Sequence, residues 1–473
     1  GHKNVPSYFL IITKLYMRII FLWILLAIAT ELSAEVRLAE VFTSNMVLQQ
    51  GKPICIWGMA EEGERLTIRF AGQKVITTAD ADKHWSVELK PMHASEKPRK
   101  IFVSGKHNMI VLNNILIGEV WLASGQSNME YSMNNHPHFI KPRKGDPDYL
   151  LHEWERAENP NIRLLYIEKN LKCDTLPTKG WQMVGKESLK PFSAAAWFFA
   201  KMLQDSLRIP IGIISSSWGG TKIEKWTPGI GMQYKKMVEP MTPFAIRGVL
   251  WYQGESNLID GDTDIYTDKQ KHLITSWRSA WHDDTLPFYY VQISPLTYSQ
   301  RKAEPYAKRW TDLPRFWEAQ TRCLVMPHTG MVVTTDIPED INDIHPPYKW
   351  IVGERLARWA LHDTYGYSIE CEGPTLRSVR IEGNKAMLEF DHADGGLITS
   401  DGKAPNWFYT NSLRNGFFKR TDAVIDGNKV IVTINPKVDL PIIRFGYDEV
   451  AQPNLRNRTG LPAVPFEYKV QRK

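Results

Sequence analysis

"VWLASGQSNMEYSM", residues 120–133, changes character halfway along. Val120 to Ala123 form an apolar run, Ser124-Gly125 break it, and the chain resumes from Gln126 as a segment able to coil into a helix. A strand that ends in small residues and hands over to a helix is the repeating unit of layered α/β proteins with a parallel sheet. Ser127 stands at the hand-over, where two readings compete. A serine at a helix start is a common N-cap. The same place, rich in free amides and near the positive end of a helix, also suits a nucleophile that generates an oxyanion.

The pattern recurs down the chain. "EVWLAS" (119–124), "IRLLYI" (162–167), "IPIGIISSS" (209–217), "IRGVLWYQ" (246–253), "FYYVQIS" (288–294) and "GMVVTTD" (330–336) read as strands. Helix-period segments cover 194–207, 266–281, 313–323 and 348–362, which makes 118–368 one α/β domain. The loops after the carboxyl ends of parallel strands share one edge of the sheet, and ligands bind there. "SGQSN", "SWGGT", "QGESN" and "NDIHPP" all follow predicted strands, so a common rim is expected to collect them.

A nucleophilic serine needs a base within hydrogen-bond reach, and the base needs an acceptor on its other nitrogen. His345 lies at the predicted rim before a helix that would hold it. His136 and His138 in "NHPHF" (135–139) are closer in sequence but fall in a solvated excursion. Donors for an oxyanion would come from the backbone at Ser127, from Gly219-Gly220, or from the amides of Gln253, the first choice, and Asn257, the second. Glu255 and Asp343 suggest a paired-carboxylate scheme of the glycosidase kind, but nothing in the sequence shows that they face each other.

Both flanks read as β-rich. Residues 35–117 alternate short strands with turn signals, as in a small sandwich-type unit, and the β rhythm returns over 369–473, where "GNK" hairpins near 383 and 427 suggest one meander. The segment 301–314, charged and with two prolines, reads as a loop. Ahead of these lie 34 residues in which Met17 and Arg18 precede "IIFLWILLAIA" (19–29) and "TELSA". They have the form of a secretory signal peptide starting at Met17 and cleaved after Ala34, with an uncleaved anchor as the alternative. The net charge is +6, of which +4 falls after residue 34, too small an excess to point to nucleic acid. Cys55, Cys173, Cys323 and Cys371 are scattered, which points away from a metal site and leaves a disulfide open.

The stretches "GEVWLASGQSNMEYSM", "SWGGTKIEKW", "IRGVLWYQGESN" and "NDIHPPYKWIVGERLA" resemble the sialate O-acetylesterases, a branch of the SGNH or GDSL-like hydrolases. The likeness extends to "NMVLQQGKPICIWGMAEEGE" (45–64) and "EVAQPNLRNRTGLPAVPF" (449–466). It implies a flavodoxin-like, three-layer catalytic domain with a serine nucleophile (Ser127), a histidine base (His345) and no metal or other cofactor, removing O-acetyl groups from sugars. Gly220 matches the block that lends a backbone amide to the oxyanion hole. The wider superfamily places an aspartate three residues before the histidine; here Asn342 holds that position, and Asp343 follows the "DIHP" version of this branch, so the resemblance leaves Asp343, Asn342 or a backbone carbonyl to orient the imidazole.

The function expected is a carbohydrate O-acetylesterase working through an acetyl-serine, with sialate as the favoured sugar and acetylated xylan or another polysaccharide as the alternative. From another class, the β units would suit a sugar-binding protein with an inactive hydrolase core. A sialate carboxylate calls for a cation near the rim, for which Lys222, Lys225, Arg315 and Lys349 are candidates.

Overall fold

The computed structural model describes residues 35–470 apart from 136–137, 140–141, 144, 302–308 and 412–416, together with Met17. Apart from Met17, the leader lies outside the described residues, as does His136. Of the predicted loop at 301–314, residues 302–308 lie outside them too.

After a two-residue strand at Arg37–Leu38 that pairs with Met59 and Gly58 come strands β1 (Val47–Gln49), β2 (Ile54–Met59), β3 (Arg65–Phe70), β4 (Gln73–Thr78), β5 (His84–Leu89) and β6 (Ser95–Ser104). β2 and β5 pair in one sheet, β3 pairs with β4 and β6 in another, and Leu66, Ile68 and Phe70 share a core with Trp85, Val87 and Leu89. Period-2 alternation of buried and exposed residues in β3 and β5 produces this face-to-face packing.

Strand β7 (Met109–Gly125) is the link to the rest. Its first half pairs antiparallel with β6 and parallel with β1; its second half enters the large sheet. The boundary expected between 117 and 118 therefore falls inside one continuous 17-residue strand. From Ile115 to Gly125 every residue is buried, since this stretch is covered on both faces.

The large sheet adds β8 (Ile162–Ile167), β9 (Thr178–Met183), β10 (Ile211–Ser217), β11 (Gly248–Tyr252), β12 (Phe288–Val291) and β13 (Thr329–Val332) in the order β9-β8-β10-β7-β11-β12-β13. All neighbours are parallel except β9, which runs antiparallel on β8. The helices that cover it are α1 (Ser127–Glu130), α2 (Ala194–Leu207), α3 (Glu255–Ile259), α4 (Tyr266–Ala280), α5 (Asp312–Thr321) and α6 (Lys349–Trp359). Trp121, Ala123, Ile213 and Leu250 form a core with α2 and α6 on one face, whereas Val120, Leu122, Ile214 and Val249 join α4 and α5 on the other. The result is a mixed α/β protein with helices on both faces of its main sheet. α6 passes into a π turn over Ala360–Thr364, beyond the predicted end at 362.

Two further four-stranded sheets close the chain around Leu388, Phe390, Phe408, Val430, Ile443 and Phe445. Both "GNK" hairpins lie in one of these sheets, joined back to back where Lys385–Asp391 pairs with Lys429–Thr433, so the sheet is not a simple meander. All four cysteines are free thiols. No helix among the described residues is long and apolar enough to cross a membrane.

Candidate active site

Three strands end at the same level. In the parallel register Ser217 of β10 and Tyr252 of β11 both lie beside Gly125 of β7. The turns that follow, Trp218-Gly219-Gly220, Gln126-Ser127 and Gln253-Gly254, are thereby neighbours. The Gln126 amide donates to Tyr252 O at 3.0 Å and the Trp218 amide to Gly125 O at 3.0 Å, which carries the ladder into the turns. Gly125 has to be glycine: its φ is +139°, and a Cβ there would stand 2.1 Å from Tyr252 O.

Ser127 is the first residue of α1, and Gln126 occupies the cap position. The capping reading of Ser127 therefore fails, and its half-buried side chain makes no hydrogen bond to another described residue. With four residues α1 has little macrodipole, so the local benefit to an anion comes from individual amides. The amides of Ser127 and Gly220 have no backbone acceptor among the described residues. Gly220 takes φ +71°, the left-handed conformation that the tight turn after β10 requires. Gly219 packs on the serine: a Cβ added there would lie 3.1 Å from Ser127 Cβ.

His345 sits in the loop before α6. Its backbone amide donates to Asp343 Oδ1 at 2.8 Å, and its Nδ1 lies 4.0 Å from that same oxygen. Asn342 turns elsewhere, accepting from the Thr297 hydroxyl at 3.0 Å and donating to Asp340 Oδ1 at 3.0 Å. Asp343 thus faces the imidazole, at a separation longer than a hydrogen bond, whereas the Asn342 side chain bonds Thr297 and Asp340.

The structure separates the proposed side-chain donors from that task. Gln253 is fully buried, and its amide nitrogen faces Gln126 Oε1, Thr221 O and Asn257 Oδ1 at 3.1, 3.2 and 2.7 Å. Asn257, equally buried, donates to Glu224 and Asp262 and accepts from the Ile223 amide. An amide group has two hydrogens, so both side chains are spent on holding the loops, and neither serves as the donor expected of it.

Glu255 and Asp343 do not form a carboxylate pair over a substrate. Glu255 is buried, and Asn128 Nδ2 donates to its Oε1 at 2.5 Å. Burial raises the Glu255 carboxyl above the usual carboxylate range. Of the four candidate cations, Lys222 pairs with Asp260 at 2.7 Å, Arg315 pairs with Asp264, and Lys349 is completely buried, leaving Lys225 exposed. Burial lowers the Lys349 ammonium to about 7, against the pull of Glu255 and Asp343.

Sequence reasoning passed over Asn128 and Glu130. Glu130 accepts the Gly219 amide at 2.5 Å and pairs with Lys169. Asn128 Nδ2 donates to Ile344 O at 3.0 Å, which places the residue after the serine against the residue before the histidine. Their closeness to Ser127 in "QSNME" was the available signal. Behind the histidine loop, Asp336 is buried among Arg355, Arg456 and Arg143, with Arg355 bidentate at 2.8 and 2.7 Å. No three His, Cys, Asp or Glu side chains gather as a metal set among the described residues.

Comparison with known proteins agrees with this architecture. The profile of the family described as carbohydrate esterase, sialic acid-specific acetylesterase matches residues 117–362, just over half the chain. The chain is similar to the sialate O-acetylesterase of Homo sapiens, 28% identical over 411 residues covering 75% of this chain and 76% of the human protein. The Mus musculus sialate O-acetylesterase is 26% identical, with 79% and 82% covered. A crystal structure described as a novel carbohydrate acetylesterase from Xanthomonas citri superposes with a TM-score of 0.82 at 30% identity, over 92% of this chain and all of that one. The chain belongs to the carbohydrate esterase family of the sialic acid-specific acetylesterases.

Proposed function

We propose that the chain is a serine O-acetylesterase of sugars, in which Ser127 attacks the acetyl carbonyl and His345 takes its proton. The tetrahedral oxyanion is met by the Ser127 and Gly220 amides. His345 then returns the proton to the departing sugar hydroxyl, and water attacks the acetyl-serine by the same route in reverse. Asp343 orients the imidazole and stabilises the imidazolium. The observation that carries this reading is the shared register of Ser217, Gly125 and Tyr252, which sets three polar turns side by side. The Asn128–Ile344 bond brings the histidine loop to the same place. Ser127 Oγ makes no hydrogen bond to a described residue, which the reading accommodates because catalytic hydrogen bonds are often long or poorly aligned before substrate binds.

The scaffold reading is a flavodoxin-like SGNH hydrolase. Its support is that the strands carrying the polar turns run β10-β7-β11-β12-β13, the 2-1-3-4-5 order, with β8 and β9 added at one edge. Family membership favours an O-acetylated sialic acid as substrate. A second reading, an acetylated neutral polysaccharide such as xylan, is favoured by the four candidate cations: two of them are already paired and one is buried, so of the four Lys225 alone is left for a sugar carboxylate. Acetate release from O-acetylated sialic acid, acetylated xylan and free acetylated monosaccharides tests the activity and ranks the sugars. No release from any of them would return the chain to the sugar-binding class. Export rests on the leader pattern, and N-terminal sequencing of secreted protein should find Glu35.

A further inference from the structure

We infer that Lys349, Glu255 and Asn128 are positioning residues, a buried link that holds the Ser127 turn at a fixed distance from the His345 loop. The inference rests on the assignment of Ser127 and His345 above. Asn128 spends its whole amide on the link. Nδ2 donates to Glu255 Oε1 at 2.5 Å and to Ile344 O at 3.0 Å, and Oδ1 accepts from Lys349 Nζ at 2.7 Å. Lys349 in turn donates to Pro346 O at 2.6 Å, and its ammonium lies 4.6 Å from the Tyr131 ring centre and 5.6 Å from that of Tyr252. Three motif stretches meet here: Asn128 is next to Ser127, Glu255 opens α3 directly after the turn that follows β11, and Ile344 and Pro346 flank His345 on both sides.

The composition of the link argues for more than packing. Lys349 and Glu255 are joined through the Asn128 amide, and replacing buried charged groups by apolar ones of similar shape is often neutral or stabilising, so such a link is weak as a source of stability. This link also leaves Glu255 Oε2 buried without a hydrogen-bond partner among the described residues, a cost that an apolar filling would avoid. What directional bonds supply, and apolar packing does not, is a single relative placement of two loops. A displacement of about 1 Å between reacting groups can cost 10²-fold in rate.

The test is the double variant Lys349→Met/Glu255→Gln, which removes both charges and keeps an oxygen for Asn128, compared with Lys349→Met alone. The single variant removes the Lys349 charge that acts on the buried Glu255 carboxyl across Asn128 and should melt well below wild type, and the double variant should recover most of that loss. With a small acetyl ester, kcat of the double variant should still be lower by about 10²-fold, with KM changed less than about threefold. Labelling of Ser127 by a fluorophosphonate should slow in parallel. If stability and kcat both return to near wild type in the double variant, the link is structural only and the inference fails. If the double variant does not fold, Asn128→Ala gives the same decision: a folded protein with wild-type kcat and labelling rate overturns it. Failure of the underlying assignment looks different, because Ser127→Ala would then keep its turnover, or the fluorophosphonate would label another residue of the wild-type enzyme.

Discussion

Glu130 Oε2 accepts the Gly219 amide at 2.5 Å, so the carboxylate at the end of α1 clamps the glycine turn that follows β10. The clamp keeps Gly219 against the side of Ser127 and leaves the next amide, that of Gly220, without a backbone acceptor among the described residues.

Gly219→Ala follows from that contact. The new methyl would stand 3.1 Å from Ser127 Cβ and 3.2 Å from Glu130 Oε2, so the serine or the clamp must move. A loss in kcat of about ten- to a hundredfold is expected with little change in folding, measured by turnover of a small acetyl ester beside a thermal melt.

Ser127→Ala should remove turnover by more than about 10⁴-fold while shifting stability by no more than about 1 kcal/mol, since its hydroxyl neither caps α1 nor bonds a described residue. Turnover close to wild type in the folded variant would sink the nucleophile assignment.

Asp343→Ala is expected to lower kcat by about 10²-fold or more, because it removes both the anion 4.0 Å from His345 Nδ1 and the acceptor of the His345 amide. Asn342→Ala should be mild, for its side chain bonds Thr297 and Asp340 instead. The reverse order of effects would make Asn342 the orienting residue.

Asp336→Asn should destabilise the fold by about 3–5 kcal/mol, since it leaves Arg355 and Arg456 short of their shared anion. Burial alone would raise the Asp336 carboxyl, but Arg355, then Arg456 and Arg143, hold it below the usual range. Its contribution is therefore complete above the unfolded-state value near 3.9 and disappears as pH falls through the lower folded-state value. Wild type and variant should differ most in urea midpoint near neutrality and converge in strong acid. A gap that persists unchanged at low pH would contradict the linkage.

The strands and long helices of the α/β part are legible because hydrophobic periodicity is local. Helix 194–207 is found at its predicted limits, and "IRLLYI" is β8 to the residue. Strand polarity also sufficed to gather Ser127, Gly219, Gly220 and Gln253 at one edge. What escaped is whatever depends on partners remote in sequence. Lys349 in the first turn of a helix reads as a solvated cation until Asn128, 221 residues away, appears against it. Gln253 reads as a free donor until Gln126, Thr221 and Asn257 take its hydrogens. The passage of β7 from one sheet to another leaves no mark, because the runs before and after it, Ile115–Ile117 and Val120–Ala123, are equally apolar and equally buried.

That strand has a mechanical meaning. A backbone that is laddered to β6 at one end and to β10 and β11 at the other cannot bend between them without breaking hydrogen bonds in both sheets. The N-terminal unit and the serine turn therefore move as one lever. A protease finds no exposed linker at 117–118, and a gene fragment that begins at 118 starts the hydrolase on half of its central strand.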